Sequence, residues 1–412
     1  MQSSDTVISP APAPAPPGTA TRSIFNFAER AQARPPTSVA PAELNRIVSF
    51  DALRGIMCVG IALFHFVPYF FEEGEWQYAA SRYLAYFTDI FFVMGGFFLG
   101  WRISRPDAPR EPTREFVAQR LSRLYPLHLA TLCFYLLLGV AVWRGLLQPE
   151  NPLRYDPGSI LPHLTLTHGL GFGEAMAFNY PSWAVSGVLV CDLLAAAILA
   201  ARQHRYWLLA IALAASLTVA SVAAAWLGES ITSLQDSGWG ALRALPSFLF
   251  GIILAMSGLR IRSRALAAGV LIAGLLLAFT PAAPLTGPAR LATVYLLVAG
   301  VLASDTAQLW TPLYLRPLQA LGRYSYGVYL LHSLVITLLI SLVFKRILVV
   351  DALELGATRP LLAYLALAAC IGMSFLAAHI SLLTVERFGG EWLRRMLLPR
   401  RRTAETARPV AQ

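Results

Sequence analysis

Apolar runs of about 20 residues recur along this chain, and they restrict it to very few folds. A bilayer core about 30 Å thick offers no partner to a bare backbone N–H or C=O, so such a run crosses as an α-helix with its hydrogen bonds closed inside the segment. About ten runs of this kind are present, near residues 48–71, 83–103, 124–146, 183–201, 206–228, 241–259, 264–282, 289–304, 324–344 and 361–385. A further apolar piece, 159–172, reads as re-entrant or interfacial. The residues are 56% hydrophobic and 14% charged, whereas soluble domains carry about 25% charged residues. The expected fold is therefore an all-α polytopic membrane bundle of about ten helices. No internal repeat is visible.

The formal net charge of +10 does not point to nucleic acid, because the arginines sit in short loops between apolar runs, where they set topology. A cytoplasmic N-terminus puts most of them on one side and leaves the C-terminus there too. The loop from Arg102 to Arg123 carries Arg105, Arg110, Arg114 and Arg120 between its ends. The opposite loops are more acidic, with Glu72, Glu73, Glu75, Glu229 and Asp236. The longest of these, 148–182, leads into span four and offers Tyr155, Asn179, Tyr180 and Trp183 to a polar acceptor. Three regions follow. Residues 1–45, with Ala11-Pro12-Ala13-Pro14-Ala15-Pro16-Pro17, are expected as a disordered cytoplasmic tail; 46–390 form the membrane domain; 391–412, with Arg400-Arg401-Arg402, form a basic cytoplasmic tail. No cleavable signal peptide is expected ahead of the first span. Cys58, Cys133, Cys191 and Cys370 lie in apolar runs without metal or redox spacing and read as buried packing residues.

Within the first run, Phe50-Asp51-Ala52-Leu53-Arg54-Gly55 is followed by His65. Ionisable groups in a membrane helix mark a functional site by default. At 100° per residue Arg54 and His65 fall about 20° apart, with Asp51 beside them, and their axial separation is roughly 16 Å. An arginine near one mouth and a histidine deep inside suit a site entered from one side.

These residues also carry a family likeness. The chain resembles the type-3 membrane acyltransferases of bacteria. Arg54-x10-His65 is similar to that family's first-helix signature. Further matches are Asp89-Ile90-Phe91-Phe92-Val93-Met94-Gly95-Gly96-Phe97, Arg120-Leu121-Ser122-Arg123-Leu124-Tyr125-Pro126, and Leu321-Gly322-Arg323-Tyr324-Ser325-Tyr326-Gly327-Val328-Tyr329-Leu330-Leu331-His332. The family usually has serine at Gly95. At Pro181-Ser182-Trp183-Ala184-Val185-Ser186-Gly187-Val188 it often reads Trp-Ser-Leu-Ser-Val-Glu, so Val188 replaces an acid; Asp192, one turn on, is a candidate substitute. With so little sequence after the tenth span, the soluble esterase-like domain of some relatives is not expected here.

The resemblance implies an enzyme of the bacterial inner membrane. It would take an acyl group, most often from acetyl-CoA, at the cytoplasmic side and give it to a sugar hydroxyl of a polysaccharide, lipopolysaccharide or glycolipid outside. A small secondary metabolite is another acceptor. No permanently bound cofactor, metal or nucleic-acid partner is expected. His65 is the natural base, and the sequence leaves open whether it also carries the acyl group. Asp51 orients Arg54, and His332, placed at a depth comparable with Arg54, joins the catalytic set. Arg54, Arg120 and Arg123 are expected to clamp donor phosphates, the competing accounts being an ion pair with Asp51 for Arg54 and the positive-inside rule for Arg120 and Arg123. Trp183, Asp89 and Tyr329 are the acceptor candidates; interfacial anchoring competes for the aromatics, and Asp89 needs a partner the sequence does not name. The rival class is a secondary transporter or lipid-linked sugar flippase, with the buried His, Asp and Arg groups as a proton relay.

Overall fold

The computed structural model of the chain describes residues 47–104, 114–200, 204–280 and 287–398. The Pro/Ala-rich segment 1–45 and the arginines at 400–402 lie outside them. Among the described residues every regular element is helical. The principal helices are α1 Val48–Phe66, α2 Phe87–Ile103, α3 Arg114–Trp143, α4 Trp183–Ala200 and α5 Arg205–Leu227, then α6 Gly240–Met256, α7 Arg264–Ala278, α8 Pro288–Thr306, α9 Ser325–Val335 and α10 Pro360–Ser381. Eight helical rods, built on α1–α5 and α8–α10, are long and apolar enough to cross a membrane. The apolar helices α6 and α7 are shorter, with 17 and 15 residues. Each expected run coincides with one of these helices.

Three of their starts fall well before the expected ones. The second rod begins at Trp76, α3 at Arg114, and the rod built on α9 at Arg316, where Arg316–Leu321 leads into α9. Apolar runs stop at the first charges, but a helix continues through arginines and tyrosines at its ends. Arg120 and Arg123 therefore ride on α3 rather than in a loop. The segment 159–172 folds into the bundle as a short helix, Ile160–Leu164, and a turn, His168–Leu170. The Tyr125 hydroxyl donates to Leu164 O at 2.9 Å, and His128 Nε2 lies 2.8 Å from His163 O, so α3 holds this piece in place. The first part of the expected C-terminal tail is helical, Gly390–Leu397, and packs on α3.

Close approach between helices sets where the site forms. A Cβ on Gly96 would stand 1.9 Å from Phe248 O, and one on Gly251 would stand 2.0 Å from Val93 O, so α2 and α6 meet backbone to backbone. Gly322 plays the same part ahead of α9: its Cβ would stand 2.1 Å from Asp51 O. That contact brings the fourth sequence block against the first. By contrast α5 and α10 bury only 22% and 28% of their apolar windows, against 67% for α1, and form the outer layer of the bundle. Cys133 corrects the expectation of buried cysteines: it is exposed on α3, while Cys58, Cys191 and Cys370 are buried.

Candidate active site

At the N-terminal end of α1 a cavity of about 620 Å³ collects arginines from three elements: Arg54 from α1, Arg120 and Arg123 from α3, and Arg323 from the turn before α9. Asp51, one turn before Arg54, accepts a hydrogen bond from its guanidinium. Arg120 Nε lies 3.0 Å from Asp192 Oδ2, and Arg120 Nη2 donates to Asp192 Oδ1 at 3.2 Å. Asp192, one turn beyond Val188 on α4, is thus paired with Arg120. Arg123 and Arg323 form no ion pair with another described residue, so the cavity mouth keeps an excess of positive charge. The Phe98 ring lies 5.6 Å from the Arg54 guanidinium. Further in, the walls become apolar, with Phe91, Phe92, Gly95, Val185 and Val188.

The C-terminal end of α1 opens on a second cavity, of about 670 Å³, which His65 lines. The imidazole is held from two sides. His332 stacks on it with ring centroids 5.0 Å apart and 20° between planes, and Tyr180 meets it edge-on at 5.1 Å. His332 itself is fully buried, its Nδ1 3.3 Å from Val328 O. Its Nε2 has no hydrogen-bond partner among the described residues. His332 therefore lies at the level of His65 and not, as expected, at that of Arg54. The rod built on α9 starts at Arg316, which carries residue 332 further along the bundle than a start at 324 allows. Thr88 and Tyr329 line both cavities.

An arginine-mouthed cavity and a histidine cavity sharing one wall fit a donor on one side and an acceptor on the other. The family described as acyltransferase domain, acyltransferase 3, matches residues 47–379. The chain belongs to this family. The acyltransferase MdmB of Streptomyces mycarofaciens is 25% identical over 327 residues, covering 72% of this chain and 80% of the relative. No solved structure matches.

In this acyltransferase the expected site residues fall into three groups. Arg54, Arg120, Arg123 and Asp51 meet at the arginine cavity. His65 and Trp183 line the histidine cavity, with His332 behind His65, and Tyr329 stands between the two. Asp89 stands apart from both: it is fully buried, 2.9 Å from Arg243 Nη2, with the Ser247 hydroxyl at 3.4 Å. Arg243, on α6, is the partner the sequence did not name. It also donates to Ala85 O, Thr232 O and Gln235 Oε1, and its guanidinium lies 5.1 Å from the Trp183 ring. An arginine three residues into an apolar helix is a signal that could have marked it.

Of the four loop residues expected to meet an acceptor, Tyr180 and Trp183 line the histidine cavity. Tyr155 and Asn179 are buried instead, at 7% and 1% exposure. Asn179 Nδ2 donates to Thr131 Oγ1 at 3.0 Å and to Leu330 O at 3.1 Å, and the Ser333 hydroxyl donates to Asn179 Oδ1. This network ties the residue before Tyr180 to the residue after His332. His128, His163 and His168, unconnected in sequence, stack beneath it with centroids 5.9 Å and 3.9 Å apart. Burial lowers His163 to about 4, so the imidazole is neutral near pH 7. Burial also raises the Asp236 carboxyl, which lines the histidine cavity.

Proposed function

We propose that this protein moves an acyl group from acyl-CoA, held in the arginine cavity, to a sugar hydroxyl in the histidine cavity. In this reading α6 and α7 cross as well, giving ten spans in a bacterial inner membrane with both termini cytoplasmic. The arginine cavity then opens to the cytoplasm. The acceptor is a polysaccharide, lipopolysaccharide or glycolipid sugar reached from outside. The observation that carries this reading is the pair of cavities with a common wall at Thr88 and Tyr329.

The guanidiniums at the mouth suit diphosphate oxygens, which planar forked donors bind in pairs. Arg54 and His65 are 11 residues apart on one helix, roughly 16 Å along its axis, so a thioester arm anchored at the mouth points its carbonyl towards the wall. His65 is the cavity-lining imidazole and acts as general base. It takes the proton of the acceptor hydroxyl as that oxygen bonds to the thioester carbon. The tetrahedral adduct collapses with loss of the C–S bond, and the proton passes to the leaving thiolate. His332 works through His65: its ring, donating from Nδ1 to Val328 O, packs its face on the base and fixes its orientation. Aromatic faces at Tyr180 and Trp183, with the polar Gln235 and Asp236, suit a sugar ring.

Ester content of extracted surface glycan, read by proton NMR, tests this function. Cells lacking the gene are compared with cells complemented by wild type or by His65→Ala at equal membrane abundance. We expect esters to disappear with the gene, return with wild type, and stay at least about 100-fold reduced with His65→Ala, the range of a lost general base. Full ester content with His65→Ala removes the catalytic assignment. Unchanged esters with loss of the glycan itself point to transport.

A further inference from the structure

The arginine cavity changes character along its length. At the mouth stand the guanidiniums and the Arg120–Asp192 pair; at the far end stand Thr88 and Tyr329. Between them α2 and α4 contribute only apolar or small residues. On α2, Phe91, Phe92, Gly95 and Phe98 follow the three- and four-residue steps of one helical face, and on α4, Ala184, Val185 and Val188 do the same. Gly95 and Val188 are the two positions noted above as departing from the pattern the chain otherwise resembles, and both line this cavity. The carboxylate of α4 appears instead at Asp192, one turn nearer the mouth. That shift of about 6 Å takes charge out of the middle of the cavity and lengthens its apolar part. Phe92 and Val185 are almost fully buried, so this surface is a built wall and not a lipid-facing patch.

We propose that this apolar section holds a saturated acyl chain longer than acetyl, so that the protein prefers a donor of about four carbons over acetyl-CoA, with Val188 as a specificity-determining residue. The inference rests on the donor reading of the arginine cavity. Its physical basis is that a two-carbon group leaves apolar wall facing water, whereas each added methylene buried there tightens binding about 4-fold.

The test measures affinities of CoA, acetyl-CoA and butyryl-CoA for the full-length protein purified in detergent, with no acceptor needed. Two methylenes are expected to favour butyryl-CoA over acetyl-CoA by about 16-fold. Val188→Phe, which fills the section, is expected to bring that ratio to about 1. Val188→Thr, which keeps the volume and adds a hydroxyl, is expected to lower it to about 3. A wild-type ratio at or below 1 overturns the proposal. So does a ratio that stays near the expected wild-type value of about 16 in both variants, because the chain then lies elsewhere. If CoA itself and both thioesters fail to bind, the donor reading falls and this inference falls with it. CoA binding with no chain-length preference rejects the inference alone.

Discussion

Arg243 and Asp89 are both nearly absent from the surface, at 3% and 0% exposure, and they face each other at 2.9 Å. Removing one partner leaves the other charge buried and uncompensated, which costs roughly 3–5 kcal/mol, whereas removing both is far milder. Arg243→Met is therefore expected to lower unfolding stability in detergent by about that amount. Adding Asp89→Leu is expected to recover a third or more of the loss. A double variant no more stable than Arg243→Met alone means that the donations to Ala85 O, Thr232 O and Gln235, and not the ion pair, account for the arginine. At this scale the sequence was informative where charge meets an apolar run: Arg54, His65 and Asp89 stood out at once. It was silent on partners, since nothing between Asp89 and Arg243 relates two residues 154 positions apart. Asn179 misled for the opposite reason. A loop amide reads as available to ligands, yet here it is spent on Thr131, Leu330 and Ser333.

Helices as units were legible because hydrocarbon leaves the backbone one solution, and each apolar run did become a helix. Their ends and neighbours were not. Hydropathy stops at the first arginine, whereas α3 runs through Arg120 and Arg123, and an Arg316 start displaces His332 to the level of His65. Which helix packs on which was hidden as well, because lipid is as apolar as the bundle interior and no polar face distinguishes them. Small residues decide it instead. With 1.9 Å and 2.0 Å between hypothetical Cβ atoms and facing carbonyl oxygens, Gly96 and Gly251 have no room for a side chain. Gly251→Leu is expected to push α6 off α2, lower the melting temperature in detergent by at least about 5 °C, and reduce acyl transfer together with it. Since Val93 and Phe97, which crowd Gly251, sit on the helix that carries Phe92 and Gly95, the arginine cavity should deform too. A variant with wild-type melting and wild-type CoA affinity shows that the two helices are free to part.

Across the whole molecule, two cavities of about 620 and 670 Å³ approach each other from opposite ends of α1 and share the side chains of Thr88 and Tyr329. Such a bundle is thinned from both sides, and the transfer proposed above requires it to move an acyl group without passing ions. The Tyr329 ring is the larger of the two shared side chains. It packs 6.4 Å from Phe91, on the arginine cavity, and 6.1 Å from His332, behind the histidine cavity. Removing it is expected to join the two volumes into one continuous path from the arginines to His65, and water entering that path carries protons. Tyr329→Gly, reconstituted in liposomes holding a pH-sensitive dye, is expected to dissipate an imposed pH step at least about 10-fold faster than wild type. Wild type is expected to match protein-free liposomes. Thr88→Val keeps the volume of its side chain while removing a hydroxyl, and it is expected to stay tight. A Tyr329→Gly vesicle as tight as wild type would mean that the wall is thicker than one ring, with residues beyond Thr88 and Tyr329 closing it. In that event the acyl group needs a larger rearrangement than the turning of one side chain to reach His65.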